Sequence, residues 1–256
     1  MNLNFNNSIA NGYTSNSQIA RVLTEDWVSN NIYCPACGSK KLNDFANNSP
    51  VADFYCNNCK AEFELKSKNN SSTMKIVDGA YGTMIQRINS ENNPNFFFLN
   101  YSNRDMSVKN FIVIPKHYFF DDIIEKRKPL SPTARRAGWI GCNILLKSIP
   151  NSGKIFLVQD SKVIPIYEVL KNWEKTAFLS TQKKESRGWT IEIMKLIERI
   201  KEKQFSLNEI YFFEKELKEK FPNNNFIKDK IRQQLQILRE KKLIEFNGRG
   251  TYVKLI

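Results

Sequence analysis

Residues 50–68 read PVADFYCNNCKAEFELKSK, and this stretch decides the fold of the first half of the chain. A Cys-x-x-Cys pair, Cys56 and Cys59, follows Asp53 by a few residues. After the pair, charged and apolar residues alternate around Glu64, as they do on a half-buried strand. If the cysteine pair forms a turn between two antiparallel strands, Asp53 comes alongside Glu64.

A second Cys-x-x-Cys pair, Cys34 and Cys37, precedes Cys56 with 18 residues between the two pairs. Two residues between cysteines let both thiolates reach one tetrahedral ion, and the interval is typical of a four-cysteine zinc site. Four thiolates fill the coordination shell, so the zinc is expected to be structural. The alternative is four unligated core cysteines. The fifth cysteine, Cys142, is expected to be a buried apolar side chain.

The two carboxylates, Asp53 and Glu64, together with the carbonyl of Leu65, form a candidate oxygen site for Mg²⁺. Glu64 and Lys66 lie two residues apart and therefore project from the same face of a strand. Lys66 would then stand beside an activated water or a phosphate, as phosphodiester hydrolysis requires. The alternative is a solvated strand face whose surface ion pairs contribute little.

The net charge and the lengths of the apolar runs restrict the class of protein to which this chain can belong. The 256 residues carry 39 Lys+Arg against 26 Asp+Glu, a net charge of +13, which indicates a polyanionic partner. No apolar run approaches the ~20 residues of a membrane span, and the N-terminus lacks the features of a signal peptide. We expect an intracellular, cytoplasmic protein of the bacterial type, in which cysteines bind metal rather than form disulfides.

The chain divides into two expected domains, 1–182 and 183–256, near a polar, non-periodic stretch at 180–186 that we interpret as a linker. The first domain alternates predicted helices and strands, which indicates an α/β or α+β layer around a central sheet. Its helices are predicted at 19–28 and 78–88, and its strands at 62–66, 95–101, 111–114 and 155–158.

The second domain has the pattern of a winged helix. Helices are predicted at 189–200, from a capping box at Ser206 and Glu209 to about residue 220, and at 226–242, followed by a hairpin with a Gly-rich turn. The third helix would enter the major groove and the wing would reach the backbone or minor groove. The candidate DNA-reading residues are Arg232, Gln233, Gln236 and Arg249. The alternative is a winged helix that binds protein.

A basic segment in the first domain carries further candidates, Arg135, Arg136 and Trp139. Arginines bind phosphates or guanine edges, and an indole face can pack against a methyl group in the major groove. The alternatives are a phosphate-facing arginine pair without sequence preference and a tryptophan that only packs in the core. The single histidine, His117, is expected to be structural, which makes a Ser/His/Asp hydrolase hard to build.

The pattern Pro50-x-x-Asp53…Glu64-x-Lys66 resembles the core of PD-(D/E)xK nucleases. Nearly the whole chain, in one order, is similar to methyl-directed restriction endonucleases of the DpnI type. The segments that carry this resemblance are 21–27, 50–56, 63–68, 92–99, 132–143, 187–193 and 231–239.

The resemblance implies a Mg²⁺-dependent type IIM endonuclease that cuts double-stranded GATC sites only when the adenine is N6-methylated. It implies an α/β fold with a PD-(D/E)xK-type mixed sheet, flanking helices and a zinc hairpin, followed by a winged helix that recognises the same mark. The family's methyl-sensing tryptophan matches Trp139. We expect a monomer with no obligate protein partner. The alternatives are a non-catalytic zinc and winged-helix DNA-binding regulator and an RNA-processing nuclease.

Overall fold

The computed structural model describes residues 1–46, 52–69 and 75–255. The chain forms two compact units, one of Met1–Ile149 with Gly153–Glu174 and the other of Pro150–Ser152 with Lys175–Ile256. The expected fold class is confirmed: a large mixed sheet with helices is followed by a small helical unit with its own sheet.

The first unit is organised by a seven-stranded sheet in the order β1-β2-β3-β5-β6-β9-β10. Its strands are β1 (Asn43–Asp44), β2 (Phe54–Tyr55), β3 (Glu62–Asn69), β5 (Asn95–Ser102), β6 (Ser107–Ile114), β9 (Ile155–Gln159) and β10 (Lys162–Val163). Only β3 and β5 pair in parallel, in register Phe63↔Asn95, and the other pairs are antiparallel. The strand predictions at 62–66, 95–101, 111–114 and 155–158 are thus confirmed.

Apolar side chains hold this sheet against its helices. All eight residues of β5 are buried, which explains its unbroken aromatic run. Phe63 of β3 stacks on Phe97 of β5 with 4.5 Å between ring centroids, and Trp27 packs edge-on against Phe111 at 5.4 Å. Trp27 lies on α1 (Asn16–Asn31), so the helix predicted at 19–28 is confirmed.

A second sheet in the first unit has the order β4-β8-β7, with β4 (Lys75–Ala80), β7 (Ile124–Lys126) and β8 (Gly141–Leu145). The helix α2 follows β4 directly and spans Tyr81–Ile88. The prediction of one helix over 78–88 was therefore wrong at its start. Gly79 lies in the strand, at an irregularity in the pairing with β8, because Gly disfavours a helix interior and commonly marks a bulge. The helix α3 (Ile166–Ala177) ends near the unit boundary.

From Lys184 to Lys254, the second unit has four α-helices and a three-stranded sheet in the order β11-β13-β12. Its elements are α4 (Lys184–Arg199), β11 (Gln204–Ser206), α5 (Leu207–Tyr211), α6 (Glu214–Lys220), α7 (Ile227–Glu240), β12 (Ile244–Phe246) and β13 (Thr251–Lys254). The capping box of Ser206 and Glu209 and the C-terminal hairpin are confirmed.

Two details of the prediction for this unit were wrong. The stretch 180–186 is not an irregular linker, because a short 3-10 helix covers Phe178–Thr181 and α4 begins at Lys184. The second predicted helix is broken into α5 and α6 at the pair Phe212 and Phe213. The break leaves Phe212 83% exposed, whereas it allows α6 to bury Leu217 completely.

Candidate functional site

The four paired cysteines converge on one point. The sulfur atoms of Cys34, Cys37, Cys56 and Cys59 lie within 4.8 Å of one another, with 3.6 Å from Cys34 to Cys59 and 3.7 Å from Cys37 to Cys56. A tetrahedral ion with Zn–S bonds of about 2.3 Å places its sulfurs about 3.8 Å apart. The donor set and its spacing therefore fit a structural zinc ion.

The two turns of the cluster have matching backbone bonds. Gly38 donates to the carbonyl of Cys34 and Lys60 donates to that of Cys56, each at 2.8 to 2.9 Å. Burial raises the pKa of Cys34. Burial also acts to raise the pKa of Cys37, but hydrogen bonds led by that from Asn58 outweigh it and lower the pKa to about 7. Cys37 is thus the thiol most ready to be deprotonated, as a metal ligand must be.

The second cysteine turn joins β2 to β3 and places Asp53 beside the first half of β3. The amide of Asp53 donates to the carbonyl of Phe63 at 3.0 Å. The carboxylate oxygen Oδ2 accepts from the amide of Leu65 at 2.6 Å. Asp53 therefore lies level with Glu64, the arrangement that the hairpin predicts. Pro50 lies outside the described residues.

Glu64 and Lys66 project from β3 into a buried group of charges. The amine of Lys66 lies 2.6 Å from a carboxylate oxygen of Glu64 and 2.6 Å from Oδ1 of Asp78. The other oxygen of Glu64 lies 2.7 Å from the guanidinium of Arg87. The side chains of Glu64 and Lys66 are only 13% and 19% exposed, which argues against the solvated strand face.

These charges favour the ionised form of Lys66. Burial by itself would lower the pKa of Lys66, but Glu64 and Asp78 together outweigh it and raise the pKa above its ordinary value. Separating any of these ion pairs would leave a largely buried charge without its counter-charge, so we expect the four side chains to remain in contact.

Asp78 and Arg87 were not identified from the sequence. Asp78 comes from β4 and Arg87 from α2, and neither has a fixed spacing from β3. In the sequence, they stand out only as an acidic and a basic residue in the segment that follows the Glu-x-Lys pattern. Such a combination is too common to indicate a function.

An acidic cavity of about 380 Å³ opens beside Asp53. Its lining includes the carboxylates of Glu25, Asp26, Asp44 and Asp53 with the single base Arg21. The pKa of Glu25 is raised, first by burial and then by the nearby charges of Asp53 and Asp44, while Arg21 opposes this. Like charges at this density favour a cation nearby and repel a bare phosphate.

The candidate methyl-sensing residue Trp139 stands at the base of a basic hairpin loop that connects β7 to β8. Backbone bonds of 2.9 Å and 3.1 Å join Leu130 to Trp139 and Gly138 to Leu130. The guanidinium of Arg136 lies over the indole at 4.8 Å, and Arg135 and Arg136 are both exposed. Trp139 is only half-buried, so it is not an ordinary core tryptophan.

Gly141 determines how closely the backbone can approach this indole. A Cβ atom at Gly141 would lie 2.8 Å and 2.9 Å from two ring carbons of Trp139. No side chain tolerates that separation unless the ring moves. The glycine therefore provides the space that Trp139 occupies.

Three of the four candidate reading residues of the second unit, Arg232, Gln233 and Gln236, share the exposed face of α7. Arg232 donates to the hydroxyl of Tyr211 at 2.9 Å and pairs with Asp229. Gln233 accepts from Lys230 at 2.8 Å. The remaining candidates are also exposed: Gln236, which donates to Glu240, and Arg249, which lies in the turn of the wing with φ of 47°.

The opposite face of α7 is buried, mainly through Ile231, Leu235 and Leu238. The polar face is therefore free for another molecule. Phe226, at the start of α7, is 72% exposed on this unit and was not identified from the sequence.

Two remaining expectations are confirmed. Cys142 is buried on β8, where burial raises its pKa to about 11, and its thiol donates to the carbonyl of Gly79. His117 is buried and 6% exposed, next to Tyr118 with 4.9 Å between ring centroids.

The fold is that of a PD-(D/E)xK-type α/β domain with a four-cysteine cluster, followed by a winged helix. The family model of the DpnI, Dam-replacing family matches residues 1–182, and that of the Dam-replacing HTH domain matches residues 185–254.

The chain therefore belongs to the DpnI, Dam-replacing family, and the resemblance seen in the sequence is confirmed. Membership makes it a site-specific restriction endonuclease of the methyl-directed kind, with a DNA-binding winged-helix domain. Within the described residues, the helices lack the length and apolar character needed to cross a membrane.

Proposed function

We propose that the chain hydrolyses both strands of double-stranded DNA at GATC sites whose adenine is N6-methylated, as a type IIM restriction endonuclease. Mg²⁺ would be held by Asp53, Glu64 and the carbonyl of Leu65. The observation that carries the proposal is the hydrogen bond of 2.6 Å from the amide of Leu65, which lies between Glu64 and Lys66, to the carboxylate of Asp53, next to the largely buried ion pair of Glu64 and Lys66. The structural zinc ion would fix the hairpin that makes this meeting possible.

The acid-rich cavity, whose lining shares Asp53 with the proposed metal site, supports the binding of a cation near Asp53. A phosphodiester cannot approach this concentration of carboxylates, among them Glu25 and Asp44, without a positive charge between them. When bound, Mg²⁺ supplies an activated water and positive charge against the phosphate.

The residues of the chain then have distinct tasks. Asp53 and Glu64 bind the cation, while the backbone amide of Leu65 keeps the Asp53 carboxylate in place. Lys66 donates hydrogen bonds to the attacking water or to a phosphate oxygen and offsets negative charge in the transition state. Its burial excludes bulk water, which strengthens that interaction.

Recognition would be shared between two surfaces. Trp139, with Arg135 and Arg136, would sense the methyl group and contact phosphates from the first domain. Arg232, Gln233, Gln236 and Arg249 would contact bases and backbone from the second. The support for this proposal is the exposure of the basic hairpin loop and of the polar face of α7. We propose a cytoplasmic monomer that requires no other protein.

The decisive experiment uses two matched plasmid preparations, one from an adenine-methylating host and one from a non-methylating host. With Mg²⁺, only the methylated plasmid should be cut, and EDTA should abolish cutting. Equal cutting of both plasmids would contradict the methyl-directed proposal. Binding without cutting would favour a non-catalytic regulator, and cutting of RNA in place of DNA would favour an RNA-processing enzyme.

We also propose that the domains divide at 182/183 and that the second folds alone. Its fragment should begin at residue 175, where the second compact unit starts, so that it keeps Phe178, over which Lys241 lies, and Gln182, whose side chain accepts from Thr190 at 3.1 Å. Residues 175–256 should bind methylated duplex in a salt-dependent way and should not cut it. A fragment without preference for methylated GATC would assign the methyl specificity to the region of Trp139.

A further inference from the structure

Four largely buried side chains of alternating charge form one continuous chain in the first unit, with 10–21% of each side chain exposed. The order is Arg87, Glu64, Lys66 and Asp78, with successive separations of 2.7, 2.6 and 2.6 Å. Two members come from β3 and two from the β4–α2 segment. Asp78 is the most buried of the four, with a side chain 10% exposed. The proposed function gives tasks to Glu64 and Lys66 but none to Asp78.

The backbone fixes Asp78 independently of Lys66. Its oxygen Oδ1 accepts from the amide of Gly79 at 2.8 Å. The pairing of β4 with β8 shifts register at this point, between Asp78↔Cys142 and Ala80↔Gly141. Such irregularities re-aim a side chain out of the regular strand alternation. The backbone around Gly79 therefore sets the orientation of the Asp78 carboxylate independently of its ion pair with Lys66.

The amine of Lys66 has three hydrogen-bond donors on a long flexible stem. Within the described part of the chain, Glu64 and Asp78 accept two of them. The third is available to water or phosphate. A lysine with one anchor retains several rotamers, whereas one with two anchors presents its third donor in a defined direction.

The two anchors of Lys66 are not equivalent. Both oxygens of Glu64 already face cationic groups, one at Lys66 and one at Arg87. A Glu64 that also binds a metal ion cannot remain a full partner of Lys66, because its charge is then shared with the ion. Asp78 lies on a different sheet from Asp53 and Glu64 and is not among the proposed metal ligands, so its hold on Lys66 persists.

We propose that Asp78 is the positioning residue for Lys66, holding the amine toward the scissile phosphate while Glu64 binds the metal ion. This inference rests on the proposed function of the Asp53, Glu64 and Lys66 site. Asp78 acts only through Lys66 and touches neither the metal ion nor the DNA.

The test compares three proteins by single-turnover cleavage of a methylated duplex over a range of Mg²⁺ concentrations. Asp78→Asn keeps an oxygen that can accept from Lys66 and Gly79, so its rate should stay within about threefold of wild type. Asp78→Ser keeps an oxygen beside Gly79 but is too short to reach Lys66. Its maximal rate should fall about tenfold to a hundredfold through misplacement of the amine.

The Mg²⁺ concentration at half-maximal rate should be the same for all three proteins. A marked increase in either variant would identify Asp78 as a metal ligand and overturn the positioning role. A wild-type maximal rate in Asp78→Ser would also overturn it. Asp105→Asn is the matched control, because it removes one carboxylate from an exposed ion pair with Lys109 at 2.8 Å in the same unit. Its rate should be unchanged.

A second readout needs neither metal nor catalysis. In protein labelled with ¹⁵N at the lysine amines, a doubly anchored ammonium exchanges its protons slowly and gives a resolved signal, which Lys66→Met assigns by its loss. The Lys66 signal should persist in Asp78→Asn and disappear in Asp78→Ser. Persistence in both would overturn the inference. A wild-type protein that fails to cut methylated DNA would refute the proposed function, yet this measurement would still report on Asp78.

Discussion

Charged side chains are arranged in opposite ways on β3 and on α7. On β3, Glu64 and Lys66 pair with each other and with Asp78 and Arg87 from two other elements, and these side chains are 10–21% exposed. On α7, Arg232 pairs with a neighbour on its own helix, and the two side chains are 54% and 63% exposed. Buried charges are costly to separate, whereas exposed pairs contribute about 0–1 kcal/mol.

The difference indicates two kinds of function. A rigid charged group suits chemistry, in which a misplacement of about 1 Å costs orders of magnitude in rate. An exposed group with weak local partners can exchange them for bases and phosphates at little cost. Substitutions should therefore have large effects on cleavage in the β3 region and small, graded effects on binding at α7.

The largest effect is expected at the zinc cluster. Cys56→Ser removes one of four thiolates, so the metal should be lost and the hairpin that carries Asp53 and Glu64 should unfold, because metal binding contributes to folding in such sites. Elemental analysis should find one zinc per wild-type chain and much less in the variant, with a lower melting temperature. Wild-type protein without zinc would contradict the assignment. Cys142→Ser, outside the cluster, is the control for metal content and should retain zinc.

Next in size is Asp53→Ala, which should reduce the cleavage rate by a factor on the order of a thousand or more, since it removes a proposed ligand of the metal ion. Binding of methylated duplex should be unchanged or slightly tighter, because a negative charge near the phosphate is lost. A gel shift and a cleavage assay on the same protein provide the measurement. If Asp53→Ala cut DNA at a near wild-type rate, the catalytic roles proposed for Glu64 and Lys66 would be refuted as well.

A moderate effect is expected at α7. Arg232→Met should weaken binding of the methylated duplex about fivefold and leave the single-turnover rate at saturating protein unchanged, since the role proposed for the residue is contact with DNA and not with the reacting atoms. Arg199→Met removes the same charge from another exposed pair of the second unit, with Glu216 at 2.6 Å, and serves as the control. If both variants bind equally, α7 has no special role in recognition.

The smallest effect is expected at Gly141→Ala, where the added Cβ must displace the indole of Trp139. One methyl contact corresponds to about 0.8 kcal/mol, so the preference for methylated over unmethylated DNA should fall about fourfold. Gly82→Ala on α2 has open space around its added Cβ and should not change this ratio. An unchanged ratio in Gly141→Ala would separate Trp139 from methyl sensing.

The strands, the cysteine cluster and the winged helix were predictable because their signals are local. Two Cys-x-x-Cys pairs, a capping box at Ser206 and apolar periodicity each specify a short stretch of backbone. The errors occurred where local signals conflict. Residues 78–80 precede a helix directly and were included in it, yet pairing with β8 makes them strand, and Phe212 is left exposed where the second helix breaks.

The sequence by itself determined the two-part organisation, the four-cysteine cluster, the basic character and the hairpin that brings Asp53 beside β3. Only the tertiary structure decided the partners of those charges. Asp78 and Arg87 reach Glu64 and Lys66 from a separate sheet and its following helix, and Gly141 makes room for Trp139. The physical reason is that a buried charge needs its counter-charge in space, and packing between layers supplies it from any position in the chain.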